Sequence, residues 1–146
     1  MKRSYSQLLI FVVYLLSGCG QEAKFERVPD SEVDSARLIF ATEISKKILT
    51  AQKEGGFYKL NTDEAIPKMV EVLNETTQKQ SYETIKSAFG EYQGLIFEYM
   101  MKPKDGSLFE VYRFEGKFNP KAKVEVRTVL DAEGKLAGFF VRPWIE

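Results

Sequence analysis

Few residues in this chain are equipped for chemistry. Its 146 residues include no histidine and one cysteine, Cys19. Without imidazole there is no Ser-His or Cys-His catalysis and no imidazole metal site, and a lone thiol excludes an internal disulfide or a thiolate cluster. No metal and no cofactor is expected. What remains is carboxylate and phenol: Glu98 beside Tyr99, then Glu110 beside Tyr112 two positions on. An acid and a tyrosine in a dry pocket can perform acid–base work, because burial raises the carboxyl pKa toward a useful value. Neighbours on a strand point to opposite faces, however, so Glu98 and Tyr99 cannot share one partner. Charges alternating with aromatics are also the ordinary surface of a half-solvated sheet. The expectation is therefore that the chain is not an enzyme. A small-pocket enzyme using carboxylate and tyrosine is the alternative.

Binding has better-placed candidates than catalysis. Phe97, Tyr99, Tyr112, Phe114 and Phe139 supply more aromatic bulk than four short strands usually need. They are the candidate lining of an apolar pocket for a small ligand or a partner's side chain, since such sites are concave, mostly apolar and rimmed by a few polar groups. Lys117, Lys121, Lys123 and Arg127 gather around Asn119-Pro120. They read either as a patch for anionic groups or as guards of a strand edge. Trp144 reads as a cover for one end of the core or as an anchor for a partner.

The elements that must position these residues fall into two halves. Ser31 and Asp34 resemble a capping box, and Val33, Ala36, Phe40, Ile44, Ile48 and Ala51 recur at helical spacing, which predicts a helix over 33–54 closed by Gly55-Gly56. A second helix is expected from between Asp63 and Ile66 to about Thr76, with Pro67 in its first turn and Ile66, Met69, Val70 and Leu73 facing inward. A third runs from near Ser81 to Gly90 and buries Tyr82, Ile85 and Phe89. After Gly94 the period changes. The stretches 95–101, 107–118, 121–130 and 136–142 are rich in aromatic and β-branched residues and are parted by turn chemistry, Asp105-Gly106, Asn119-Pro120 and Asp131-Ala132-Glu133-Gly134. Short turns between consecutive strands mean antiparallel hairpins. Helices packed on a four-stranded antiparallel meander make an α+β domain spanning 32–146.

Ahead of it lies the sharpest local pattern. Lys2 and Arg3 precede an apolar run, Leu8 to Leu16, that is nine residues long and so too short for a permanent membrane span. With Ser17 and Gly18 before Cys19, it has the form of a secretory leader over 1–18. Residues 19–31 read as a polar tether. Lys plus Arg equals Asp plus Glu at 21 each, so no global charge draws the chain to nucleic acid.

Two resemblances follow from these residues. Leu16-Ser17-Gly18-Cys19 resembles the lipobox of bacterial lipoproteins, which implies cleavage before Cys19, diacylglycerol on its sulfur and an acyl chain such as palmitate on the new amino terminus. Two or three chains hold firmly where one holds marginally. Gly20 in place of an Asp implies the outer membrane in a Gram-negative cell. Residues 33–143, through Gly55-Gly56-Phe57-Tyr58, Ala88-Phe89-Gly90 and the closing Ala137-Gly138-Phe139-Phe140-Val141-Arg142-Pro143, are similar to small exported domains of unknown function with the cone fold of nuclear transport factor 2-like and cystatin-like proteins. That resemblance carries no catalytic residues. Together the expectation is a cell-envelope lipoprotein, held on the membrane at Cys19, whose single domain binds a ligand or an envelope protein.

Overall fold

A computed structural model describes residues 25–119 and 122–145. Cys19, the apolar run before it and Gly20 lie outside the described residues, as do Pro120 and Lys121. The chain begins with strand β1 (Phe25–Arg27) and a 3-10 turn (Asp30–Glu32), followed by helices α1 (Ser35–Lys53), α2 (Pro67–Val72) and α3 (Glu75–Phe89). Strands β2 (Glu91–Pro103), β3 (Glu110–Asn119), β4 (Ala122–Leu130) and β5 (Leu136–Pro143) complete it. The five strands form one antiparallel sheet in the order β1-β2-β3-β4-β5. The α+β class stands, and the expected four-stranded sheet is corrected to five. Residues 25–28, read as tether, pair with the end of β2: Phe25 lies opposite Pro103, Val28 donates its N–H to the Met100 carbonyl at 2.9 Å, and its side chain is buried. Three residues are too few to show a period, which is why the pattern missed them.

Asp34, rather than Ser31, caps α1, its carboxylate accepting from the Arg37 N–H at 2.9 Å. The buried face runs through Ala41, Ile44, Ser45, Ile48, Leu49 and Gln52, so Phe40 falls to its margin and Ala36 is exposed. The larger correction is at α3. It starts at Glu75, six residues earlier than the apolar spacing predicts, because the Asn74 side chain accepts from the Thr77 N–H at 3.0 Å and caps it. The predicted second helix is cut to Pro67–Val72 by that same cap. A buried glutamine then ties the layers together. Gln78 accepts from the Tyr58 N–H at 2.9 Å and donates to the Tyr58 and Leu73 carbonyls, both at 2.7 Å.

The core lies between the helices and the inner face of the sheet. Tyr112, Phe114, Val126, Phe139 and Val141 face Ile44, Ile48, Leu49, Met69 and Ile85. Within it, the Ser45 and Thr128 hydroxyls hydrogen-bond at 2.5 Å, joining α1 to β4, and Ser45 also reaches the Ala41 carbonyl. Register shifts in β2 lie between Tyr92 and Gly94 and between Phe97 and Tyr99, with a third between β4 and β5 at Val129/Leu130. Such bulges bend a sheet and re-aim the side chains that follow.

Candidate functional site

The second bulge in β2 decides the fate of the aromatic set. Phe97 lies opposite Phe114, and its ring meets those of Phe114 and Tyr112 with centroids 5.8 and 6.5 Å apart, on the inner face. Simple alternation would put Tyr99 there too. The extra residue, Glu98, turns Tyr99 to the outer face, opposite Arg113. Tyr112, Phe114 and Phe139 are fully buried in the core, and Phe97 packs half-buried against it. The five candidate pocket residues are thus split between two faces. An open groove of about 470 Å³ lies instead at the end of the sheet, walled by Ile66, Pro67, Phe109, Ala132 and Lys135 and overhung by exposed Leu108. None of the five aromatics lines it.

Of the carboxylate and phenol candidates, Glu110 and Tyr112 do meet. The Tyr112 hydroxyl donates to Glu110 Oε2 at 2.6 Å, and Arg37 reaches the same oxygen at 3.4 Å. Burial, reinforced by that hydrogen bond, pushes the Tyr112 phenol well above its usual range, so it stays a neutral donor. Arg37 goes on to the Asp131 carbonyl at 3.1 Å and the Ala132 carbonyl at 2.6 Å. The arrangement fastens the start of α1 to the β4–β5 hairpin. Glu98 and Tyr99 join no such pair.

The outer face holds a constellation that spacing alone does not disclose. Glu125, in the middle of β4, is fully buried, and three guanidiniums converge on its carboxylate. Arg113 from β3 donates to Oε2 at 3.1 Å, Arg142 from β5 donates to Oε1 at 3.1 Å, and Arg127 donates to Oε1 through Nε. Register produces the cluster: Arg113 lies opposite Arg127, and Glu125 opposite Arg142. Burial alone would raise the Glu125 pKa. The charges of Arg127 and Arg142 and the hydrogen bonds from Arg113 and Arg142 outweigh it and hold the carboxyl below its usual value. Arg127 itself is pulled below the ordinary arginine value by its own burial, partly offset by Glu125.

Aromatic rings frame the cluster. Arg113 donates to the Tyr99 hydroxyl at 3.1 Å and sits 3.9 Å from the centre of the Trp144 ring, which Lys123 approaches to 4.1 Å. Cations over an indole face are held by its quadrupole. The Ile145 carbonyl accepts from Arg113 at 2.7 Å, so the residues after β5 fold back across the sheet. Trp144 therefore covers the charged outer face, not one end of the core. Of the basic residues expected to gather around the Asn119-Pro120 turn, Arg127 joins Glu125, while Lys123 remains at the margin, 3.9 Å from Glu115. Glu125, Arg113 and Arg142 were missed as a set because no two lie close in sequence. Only the Lys123, Glu125, Arg127 alternation in one strand hinted at it.

Among the described residues no three His, Cys, Asp or Glu side chains are placed to hold a metal, and no helix is long and apolar enough to cross a membrane. Comparison with known protein families, with curated proteins and with solved structures finds no match to this chain.

Proposed function

We propose that the chain is a cell-envelope lipoprotein, anchored through Cys19, whose exported domain is a binding module that works through the outer face of its sheet. The observation that carries the binding role is the Glu125 cluster: a fully buried carboxylate organising three arginines beneath an aromatic frame, at the side of the sheet away from the helices. Rigid strands and interlocked partners hold these groups in fixed positions, as recognition requires. The anchor is supported by the lipobox-like Leu16-Ser17-Gly18-Cys19 and the short apolar run before it. The finer kinship, with nuclear transport factor 2-like cones, is supported by the order of helices before strands and by the bulges that bend the sheet beneath α1. The alternative of an enzyme built on carboxylate and phenol draws no support from Glu110 and Tyr112, which are spent on each other and on Arg37.

The test isolates the full chain from membranes through an affinity tag inserted in the exposed 104–106 turn, which leaves Trp144 untouched. Wild type fractionates with membranes and Cys19→Ala does not. A protein or small molecule, identified by mass spectrometry, accompanies wild type and is lost from Trp144→Ala. Equal partition of the two chains would defeat the anchor, and a companion indifferent to Trp144 would defeat the face.

A further inference from the structure

We propose that the rim of the arginine cluster is a phosphate-binding site, with Arg127 and Arg142 as its ligating residues; this rests on the outer face being the binding face. Three guanidiniums share one carboxylate, which leaves two surplus positive charges where the sheet is open. Among the described residues Arg127 uses only Nε and Arg142 only one terminal nitrogen, both on the same Glu125 oxygen. The remaining donors of two converging forks therefore have no partner among the described residues. The Arg142 Nε is itself buried and unpaired, as is the Nε of Arg113, whose side chain is more than nine-tenths buried. A buried guanidinium nitrogen without an acceptor is costly, and an oxyanion at the rim is the ligand that supplies acceptors in the geometry of these forks.

Other charged groups stand near the rim: Arg27 lies over the Tyr99 ring, 4.8 Å from its centre, and pairs with Asp30 at 3.9 Å. Lys123 stands at one side, drawn toward Trp144 and 3.9 Å from Glu115, which lies opposite Glu125 in register. Arg113 spends its terminal nitrogens on Glu125, Tyr99 and the Ile145 carbonyl, so it strengthens the local field and has only its Nε left without an acceptor. The two half-buried arginines differ in role. Arg142 is the more accessible, with 37% of its side chain exposed against 22% for Arg127. It makes first contact, and Arg127 closes the fork from the sheet. Phosphate suits the site because it offers several acceptor oxygens to the free donors of two guanidiniums carried on neighbouring strands. The same chemistry could be presented by a lipid headgroup or by a free phosphorylated solute.

Trp144 is the chain's one tryptophan and stacks on the cluster, so its emission reports directly on the site. The experiment places the full chain, isolated from membranes, in phosphatidylcholine nanodiscs and titrates inorganic phosphate at constant ionic strength. A parallel sample uses nanodiscs containing phosphatidylglycerol. A saturable change with free phosphate identifies a solute site, and a change with phosphatidylglycerol alone identifies a headgroup site. Either supports the proposal provided Arg127→Gln and Arg142→Gln each weaken binding about tenfold, the loss of one charge-assisted hydrogen bond. Both variants leave Glu125 two arginines and should fold, which circular dichroism checks; Lys79→Gln on α3 is the control. No response in either sample, or a response the two variants share with wild type, overturns the phosphate site. In that event a companion still captured through Trp144 would leave the broader binding role standing.

Discussion

Replacing Glu125 with Gln should be among the most damaging single changes on the outer face, and the structure gives its size. The carboxylate is 1% exposed and receives Arg113, Arg127 and Arg142. The amide keeps the shape but removes the carboxylate charge that all three guanidiniums share. Breaking a buried ion pair by removing one partner costs about 3–5 kcal/mol. Because Arg127 and Arg142 retain some contact with water, the lower end applies, about 3 kcal/mol. For a domain of this size that corresponds to a fall of roughly 10 °C in melting temperature. The pH dependence makes the prediction sharper. The folded-state pKa of Glu125 lies below its unfolded value, so its contribution is fully present above the ordinary carboxyl range and is lost as pH falls through the folded value. The gap between wild type and Glu125→Gln should therefore be wide at neutral pH and close progressively below about pH 4.3. Calorimetric melts across that range would measure it. A gap that is absent at pH 7, or that persists unchanged into strong acid, would refute the claim that this carboxylate holds the cluster through its charge.

Three further outcomes are expected. Gln78→Leu orphans the Tyr58 N–H and two carbonyls, and should cost about 2–3 kcal/mol and speed hydrogen exchange at the Tyr58 amide. Gly116→Ala would put a Cβ 2.9 Å from the Phe118 ring and 3.2 Å from Val126, so overpacking should lower stability by about 1–3 kcal/mol in a urea titration. A domain truncated to begin at residue 25 should melt above one beginning at residue 32, because the longer chain keeps β1 and the buried Val28.

Much of this fold was legible, and the reasons differ by element. The long α1 and the last three strands announce themselves through sustained periods and through turn residues whose roles are visible, such as Asp131, which accepts from the Glu133 and Lys135 amides. The start of α3 was misplaced because Glu75 to Gln80 is polar and shows no apolar face. Its position is set by one capping side chain, Asn74. Most of the candidate site was illegible. Tyr99 changes face through a bulge at Glu98, and a one-residue slip inverts every position after it. Glu125, Arg113 and Arg142 become neighbours only once three strands are in register, and register is a property of the whole sheet.

The arginine cluster is more than stability alone would select. The inner face of β3 and β4, with Tyr112, Phe114, Val124 and Val126, already provides the apolar burial that holds the domain together. On the outer face a buried carboxylate needs one good guanidinium, and each additional arginine adds repulsion and desolvation that its hydrogen bonds only partly return. A sheet optimised for stability would carry an apolar side chain at one of these positions. Arg127 is the natural one to remove, since Arg113 and Arg142 still satisfy both oxygens of Glu125. Arg127→Met should therefore leave the melting temperature of the phosphate-free protein unchanged or raise it, in contrast to Glu125→Gln, while weakening phosphate binding. Residues kept for recognition show this signature, in which loss of function comes without loss of stability. Should Arg127→Met instead lower the melting temperature by as much as Glu125→Gln, the third arginine would be a structural partner of Glu125, and the argument from surplus charge would fail with it.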